Sequence, residues 1–249
     1  MRSLWQAFLT LALLPFLAFP SCAGGEDSGG AADEWLRPIP DYEDPYKDGL
    51  YTTIVTMLTI GAPAIKNQKE VSLRVPNWKK KLDVRAIIQD QAAPLAVVIV
   101  GVDGRADTPM GRLLPYWMDK YLKYHVLSFD STFRPTFEDA SRHGVAGDIP
   151  ADSQAIAQVV AEFLKQGDVA KKVTQIGVVG YSLGAMQALD LARLAAESKL
   201  PFQLAAAVGF SPPIRLKTTA RILDDFYTTD RWKYTMIDMG KVFLTHEPV

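Results

Sequence analysis

A chain of 249 residues that is 48% hydrophobic and 22% charged holds enough apolar side chains for one sizeable core. A formal net charge of −1 argues against a basic nucleic-acid binder and against an acidic, solvating chain. The single cysteine, Cys22, rules out an intrachain disulfide and a cysteine-based metal site. Lysines gather at Lys79–Lys81 and at Lys171–Lys172, and both groups read as solvated positions beside predicted strands.

The chain opens as an export signal. Arg2 supplies a positive start, Leu4 to Phe19 is an apolar stretch broken by Pro15, and small residues follow at Ser21, Cys22 and Ala23. The stretch is a poor permanent membrane span. Phe19-Pro20-Ser21-Cys22 resembles a bacterial lipoprotein lipobox, which implies a diacylated Cys22 as the mature N-terminus. A lone exported cysteine with no partner otherwise invites oxidation, which favours this reading. Ordinary cleavage after Ala23, giving a periplasmic or secreted protein, is the alternative. Residues 1–22 are thus expected as signal peptide and 23–48 as tether and irregular lead-in, since Gly24 to Asp33 is small and polar. Ala23 after the cysteine, rather than Asp, fits a lipoprotein anchored in the outer membrane.

Further on, Leu50 to Ile60 fits helix or strand, with helix preferred. Glu70–Val75 alternates at period two, and Val84–Gln89 is its predicted hairpin partner. Pro94–Val100 is continuously apolar and ends at Gly101, as a central parallel strand does. Met110–Tyr124 is predicted helical and His125–Phe129 a strand. A long helix is expected within Asp148–Gln166, with Asp152 or Ser153 as its cap. Val173–Val179 reads as a buried strand and Ala185–Ala196 as a helix of strong helix formers. Phe202–Phe210 is one more strand, and Arg215–Tyr227 a helix.

Between that buried strand and its helix stands Gly180-Tyr181-Ser182-Leu183-Gly184. A G-x-S-x-G motif in a strand-to-helix turn is a nucleophile elbow, with close backbone approach at Gly180 and Gly184. Two early antiparallel strands, repeated β-α units and this elbow resemble the α/β-hydrolase superfamily over roughly Glu70 to Pro213. The resemblance implies an α/β fold, with a mostly parallel sheet and helices on both faces. It implies 49–213 as core, 214–249 as a partial cap, and the last strands of the sheet missing. Ser182 would be the nucleophile, and the backbone N–H groups of Val102 and Leu183 the oxyanion donors. Gly101 and Gly104 flank Val102 and permit close approach. The reaction implied is acyl transfer from a small-molecule or lipid ester or amide, without metal or organic cofactor.

The base and acid are harder to find. In this superfamily they follow the serine, acid first and histidine second. Of three histidines only His246 follows Ser182, close to Val249; it reads as a surface histidine in a frayed terminus, or else as a base with Asp238 as a compressed acid. His125 opens a strand at the end of the sheet away from the site and reads as structural. His143, in the loop after the fourth strand, reads as loop packing or substrate contact. Asp103, Asp130, Asp190, Asp224 and Asp225 occupy no recognisable acid position, and Asp130 lies best at the carboxyl edge. Two functions therefore stand: an exported serine hydrolase of esterase type, or a catalytically incomplete envelope lipoprotein that is a fragment or binds ligand. Oligomeric state is open.

Overall fold

The run Ala93–Ile99, apolar at every position, becomes the middle of the sheet as strand β3. The computed structural model describes residue 62 and residues 64–102, 104–141 and 146–228. Cys22 and its leader, the tether, the Leu50–Ile60 element, Asp103, His143, Asp238 and His246 lie outside these described residues. The chain divides into units Met1–Thr56 and Met57–Val249, and everything described belongs to the second.

Strand β1 (Lys69–Leu73) pairs antiparallel with β2 (Leu82–Ile87), Val71 opposite Val84 and Leu73 opposite Leu82. Strand β4 (His125–Phe129) runs antiparallel to β2 and parallel to β3. Strand β5 (Val173–Tyr181) lies parallel to β3 on its other side, and β6 (Ala206–Phe210) lies parallel to β5. The order is β1-β2-β4-β3-β5-β6. Strand alternation divides the buried residues between two faces. Leu95, Val97, Ile99, Leu127, Phe129 and Val178 join one core with three helices, α2 (Pro135–Ala140), α3 (Ile149–Leu164) and α5 (Leu183–Ala196). Ala96, Val98 and Val126 point the other way and are equally buried. There α1 (Leu113–Trp117) packs on β4 through buried Leu114, and a π-helical turn over Met118–Leu122 adds Met118.

Four differences from the expected elements have local causes. The predicted helix over Met110–Tyr124 starts late because a Cβ at Gly111 would lie 1.9 Å from the Arg105 carbonyl oxygen, so the chain is still folding back there. It then widens into the π turn and stops at Lys123, which is left-handed at φ 56° and ψ 36°. The start of α3 is capped by neither Asp152 nor Ser153. Asp148 holds it, accepting from the Ala151 N–H at 3.3 Å, with a proline in the first turn. Strand β6 is shorter than expected, since its regular pairing begins only at Ala206. The short helices α2 and α4 (Val169–Lys172) have no apolar period to announce them. Helix α6 (Leu216–Thr228) follows β6 where the sequence puts it.

Candidate active site

Helix α1, after β3, lies on one face of the sheet, and α5, after β5, on the other. Chain leaving the carboxyl ends of these adjacent strands therefore diverges and opens a crevice, the usual ligand position in α/β sheets. Ser182 stands in that crevice between β5 and α5, exposed, with φ 55° and ψ −124°. Lys123 has a similar φ, but its ψ is that of ordinary left-handed backbone; the ψ of Ser182 is not. A non-glycine residue held there costs about 1–3 kcal/mol and persists only where its surroundings over-determine it.

The neighbours do so. A Cβ on Gly180 would stand 2.0 Å from the Gly184 carbonyl oxygen, and one on Gly184 would stand 2.3 Å from that of Ile99. Real Cβ atoms do not approach backbone so closely, so the first turn of α5 sits directly on the end of β3. The Ser182 N–H donates to the Phe210 carbonyl at 2.9 Å, fixing the elbow to the end of β6. The Ser182 carbonyl accepts from the Ala185 N–H at 3.0 Å.

The loop after β3 closes on the same point. The Gly104 N–H donates to the Gly101 carbonyl at 3.0 Å, a turn with Val102 at its second position and Val102 itself 58% exposed. A Cβ on Gly101 would be 3.1 Å from the Ser182 Cβ, so this backbone lies against the serine. Leu183 is buried and opens α5, where its N–H has no intrahelical carbonyl to bond. Ser182, the Gly101–Gly104 turn, Leu183, Gly180 and Gly184 are thus brought together.

Other candidates are placed elsewhere in the fold. Asp130 is at the carboxyl edge, but its carboxylate accepts from the Ala106 N–H at 2.9 Å and from the Thr136 hydroxyl at 3.0 Å. It braces the loop that continues from Gly104. Asp190 pairs with Arg193 at 2.7 Å along α5, and Asp224 and Asp225 are exposed on α6. His125 is fully buried at the opposite end of the sheet, its Nδ1 accepting from the Gln89 N–H at 2.9 Å and its Nε2 lying 3.1 Å from the Lys172 carbonyl. Burial holds its pKa below the usual histidine value. Among the described residues no three His, Cys, Asp or Glu side chains are grouped to hold a metal, and no helix is long and apolar enough to cross a membrane.

Two features escaped sequence reasoning. Tyr181, the variable residue before the serine, lies against Gly101; burial pushes its phenol pKa up, and a hydrogen bond from the Gly101 backbone pulls it partly back. Behind the elbow, Asp152 Oδ2 accepts from the Thr132 hydroxyl at 3.0 Å, from Gln187 Nε2 at 3.1 Å and from the Gly147 N–H at 3.2 Å. Asp152, Thr132 and Gln187 are all buried, so this network ties α3 and the loop after β4 to the helix that carries the serine. A glutamine in the buried stripe of α5 was the only sequence signal for it.

No family model matches this chain, and no curated protein matches it. Among solved structures it is similar to the Pyrococcus furiosus esterase Pf2001 in space group P212121, with 24% identity over 76% of this chain and 70% of that one, at a TM-score of 0.49. For the same esterase in space group P21 the identity is 25% over 71% of this chain and 65% of that one, at a TM-score of 0.48. For an esterase of Pyrobaculum calidifontis it is 15% over 62% of this chain and 48% of that one, at 0.42. This chain thus spans about half the length of the Pyrobaculum esterase, 48% of it. By its own strand order, its helices on both faces and the turn at Ser182, the fold is α/β and α/β-hydrolase-like.

Proposed function

We propose that this protein is a serine hydrolase that cleaves an ester or amide by acyl transfer to Ser182. The observation that carries the reading is the backbone of Ser182: an exposed serine on a strained turn, with the Gly101 backbone pressed against its Cβ. In the proposed reaction Ser182 Oγ attacks the carbonyl carbon while its proton passes to a base, a role assigned to His246 with Asp238 as its partner. The N–H groups of Val102 and Leu183 receive the oxyanion, and losing one such donor typically costs about a hundredfold in rate. Collapse of the tetrahedral intermediate breaks the carbonyl bond to the leaving alcohol or amine, which takes the proton. Water then attacks the acyl-enzyme by the same route and releases the acid.

Covalent labelling with a fluorophosphonate tests this directly. Label is expected on Ser182 of the wild-type protein and none on Ser182→Ala. A folded wild-type protein that takes no label overturns the reading and makes the chain a ligand-binding relative of the fold. We also propose export and lipid anchoring through Cys22, supported by the apolar leader and the lipobox-like Phe19–Cys22. Cys22→Ala is expected to leave the membrane fraction, and its retention there would reject the anchor.

A further inference from the structure

We propose that the surface where α1 runs out, at the amino end of the sheet, docks this protein on an anionic lipid bilayer, a proposal that builds on the anchor at Cys22. The run Tyr116-Trp117-Met118-Asp119-Lys120-Tyr121-Leu122-Lys123 interleaves aromatic and basic residues with a single acid, just before β4 begins. Met118 is buried, Tyr116 and Trp117 are half-buried, and Lys120, Tyr121 and Lys123 are exposed. The Trp117 and Tyr121 rings stack with centres 4.5 Å apart. The Lys120 ammonium lies 5.1 Å from the Tyr116 ring centre and 5.3 Å from that of Tyr121, and donates to the Tyr116 hydroxyl at 2.6 Å. Each of these rings has an apolar body and a polar tip, and a cation is held among them. That is the chemistry suited to the headgroup layer of a bilayer.

The charge at this corner points the same way. Asp119 Oδ1 accepts from Asn67 Nδ2 at 3.1 Å and from Gln89 Nε2 at 2.9 Å, so the acid is occupied and Lys66 is brought to the same corner. Lys172 Nζ donates to the Gln89 carbonyl at 3.3 Å. Lys66, Lys120, Lys123 and Lys172 thus stand together against Asp90 and Asp119. The whole chain has a formal net charge of −1, so an anionic surface is drawn to this corner and not to the protein at large. Each lysine close to such a surface strengthens binding about fivefold at moderate salt. The lysine run Lys79–Lys81 differs. It precedes β2, which runs antiparallel to β4, and so lies at the carboxyl end of the sheet. Its neighbour Trp78 is buried, with Nε1 donating to Gln158 at 2.9 Å, and Lys80 pairs with Asp139 at 3.0 Å. Charge without an exposed ring is all it offers. Docked by the amino end, the sheet turns its carboxyl end, and with it Ser182, toward water.

Residue-resolved lysine acetylation tests this on the full chain mixed with excess vesicles. The vesicles are phosphatidylcholine alone, or phosphatidylcholine with about one-third phosphatidylglycerol, in about 50 mM salt. On the anionic vesicles Lys120 and Lys123 are expected to label at least about fivefold more slowly than on neutral ones, while Lys79 and Lys81 keep their rates. The difference should vanish in about 0.5 M salt. Tyr121→Ala, at an exposed position where folding is little disturbed, should lose most of the protection. Equal labelling on the two kinds of vesicle overturns the proposal, and so does equal protection of Lys79 and Lys81. Full protection in Tyr121→Ala overturns the bilayer in favour of a soluble polyanion, as does shielding by a single-stranded oligonucleotide but not by vesicles. Cys22→Ala, labelled alongside, separates this surface from the anchor. Protection in both proteins upholds the surface whatever becomes of the anchor, and protection in wild type alone upholds it as a surface that needs the tether. The attraction is reversible and lost to salt, so membrane fractionation after a salt wash still reads the anchor by itself.

Discussion

The two ends of the central sheet hold the same kinds of reactive side chain and treat them in opposite ways. At the amino end of β4, His125 is fully buried, and both ring nitrogens face backbone partners. At the carboxyl end of β5, Ser182 is exposed, on a backbone that serine does not adopt freely. His125 has its hydrogen-bonding capacity spent inside the fold, so its contribution is to stability. Ser182 contributes little to the core, and the fold uses close glycine contacts to hold it in place. A reactive residue type thus carries little information by itself. The strain of its backbone and the freedom of its polar atoms carry much more.

The strongest way to break this contrast is to crowd the elbow. Gly184→Ala places a methyl 2.3 Å from the Ile99 carbonyl oxygen, among backbone atoms with no side-chain rotamer to yield. A loss of about 3 kcal/mol in urea denaturation is expected. Gly167→Ala is the matched control. Gly167 also departs from easy alanine geometry, at φ +50°, but has nothing within 4 Å of a Cβ, so only about 1 kcal/mol should be lost. Equal losses in the two variants would mean that close approach does not hold the elbow.

The second prediction acts at the other end. Burial keeps the folded-state pKa of His125 below its unfolded value, so as pH falls the unfolded chain takes up the proton first. His125 stabilises fully above about pH 6.5, and this contribution is lost as pH falls from there toward the folded-state value. The loss from this one group is at most about 1.4 kcal/mol per pH unit. Denaturation midpoints of wild type and His125→Gln, followed through that window, should converge as pH falls. A constant gap would mean that His125 does not titrate differently on folding.

These positions also show what could be read in the chain beforehand. The central strand, the strand-to-helix turn at Ser182 and the helix after it were legible because each carries a local signal: an unbroken apolar run, two glycines around a serine, a stretch of helix formers. His125 was legible as structural because it opens a strand at the far end of the sheet. The Asp152–Thr132–Gln187 network was not, because its three members lie far apart in sequence and meet only when α3, α5 and the loop after β4 pack. Asp152 near a helix start reads locally as a cap, yet its carboxylate is spent on tertiary partners and Asp148 does the capping. Met110–Tyr124 misled for a similar reason. Apart from Gly111 and Pro115 its residues suit a helix, while the close approach of Gly111 to Arg105 is a property of the folded loop.

The smallest effect isolates the strain itself. Ser182→Ala removes the hydroxyl but keeps a Cβ on the same backbone, so a cost of φ 55° and ψ −124° remains. Ser182→Gly removes the Cβ and with it most of that cost, which is about 1–3 kcal/mol for a residue so placed. Glycine also loosens the unfolded chain, which offsets about 0.4–1 kcal/mol of the gain. The glycine variant should therefore be the more stable of the two by about 1 kcal/mol, with neither taking fluorophosphonate. That sign is the useful quantity, because the two variants lack the same hydroxyl, and the unfolded-chain effect alone would favour alanine. If alanine proved the more stable by about 0.4–1 kcal/mol, the full unfolded-chain effect, the elbow would be relaxed, and exposure alone would distinguish Ser182 from His125. If glycine wins, the fold holds its serine at a cost in stability, as functional sites commonly do and structural positions have no reason to do.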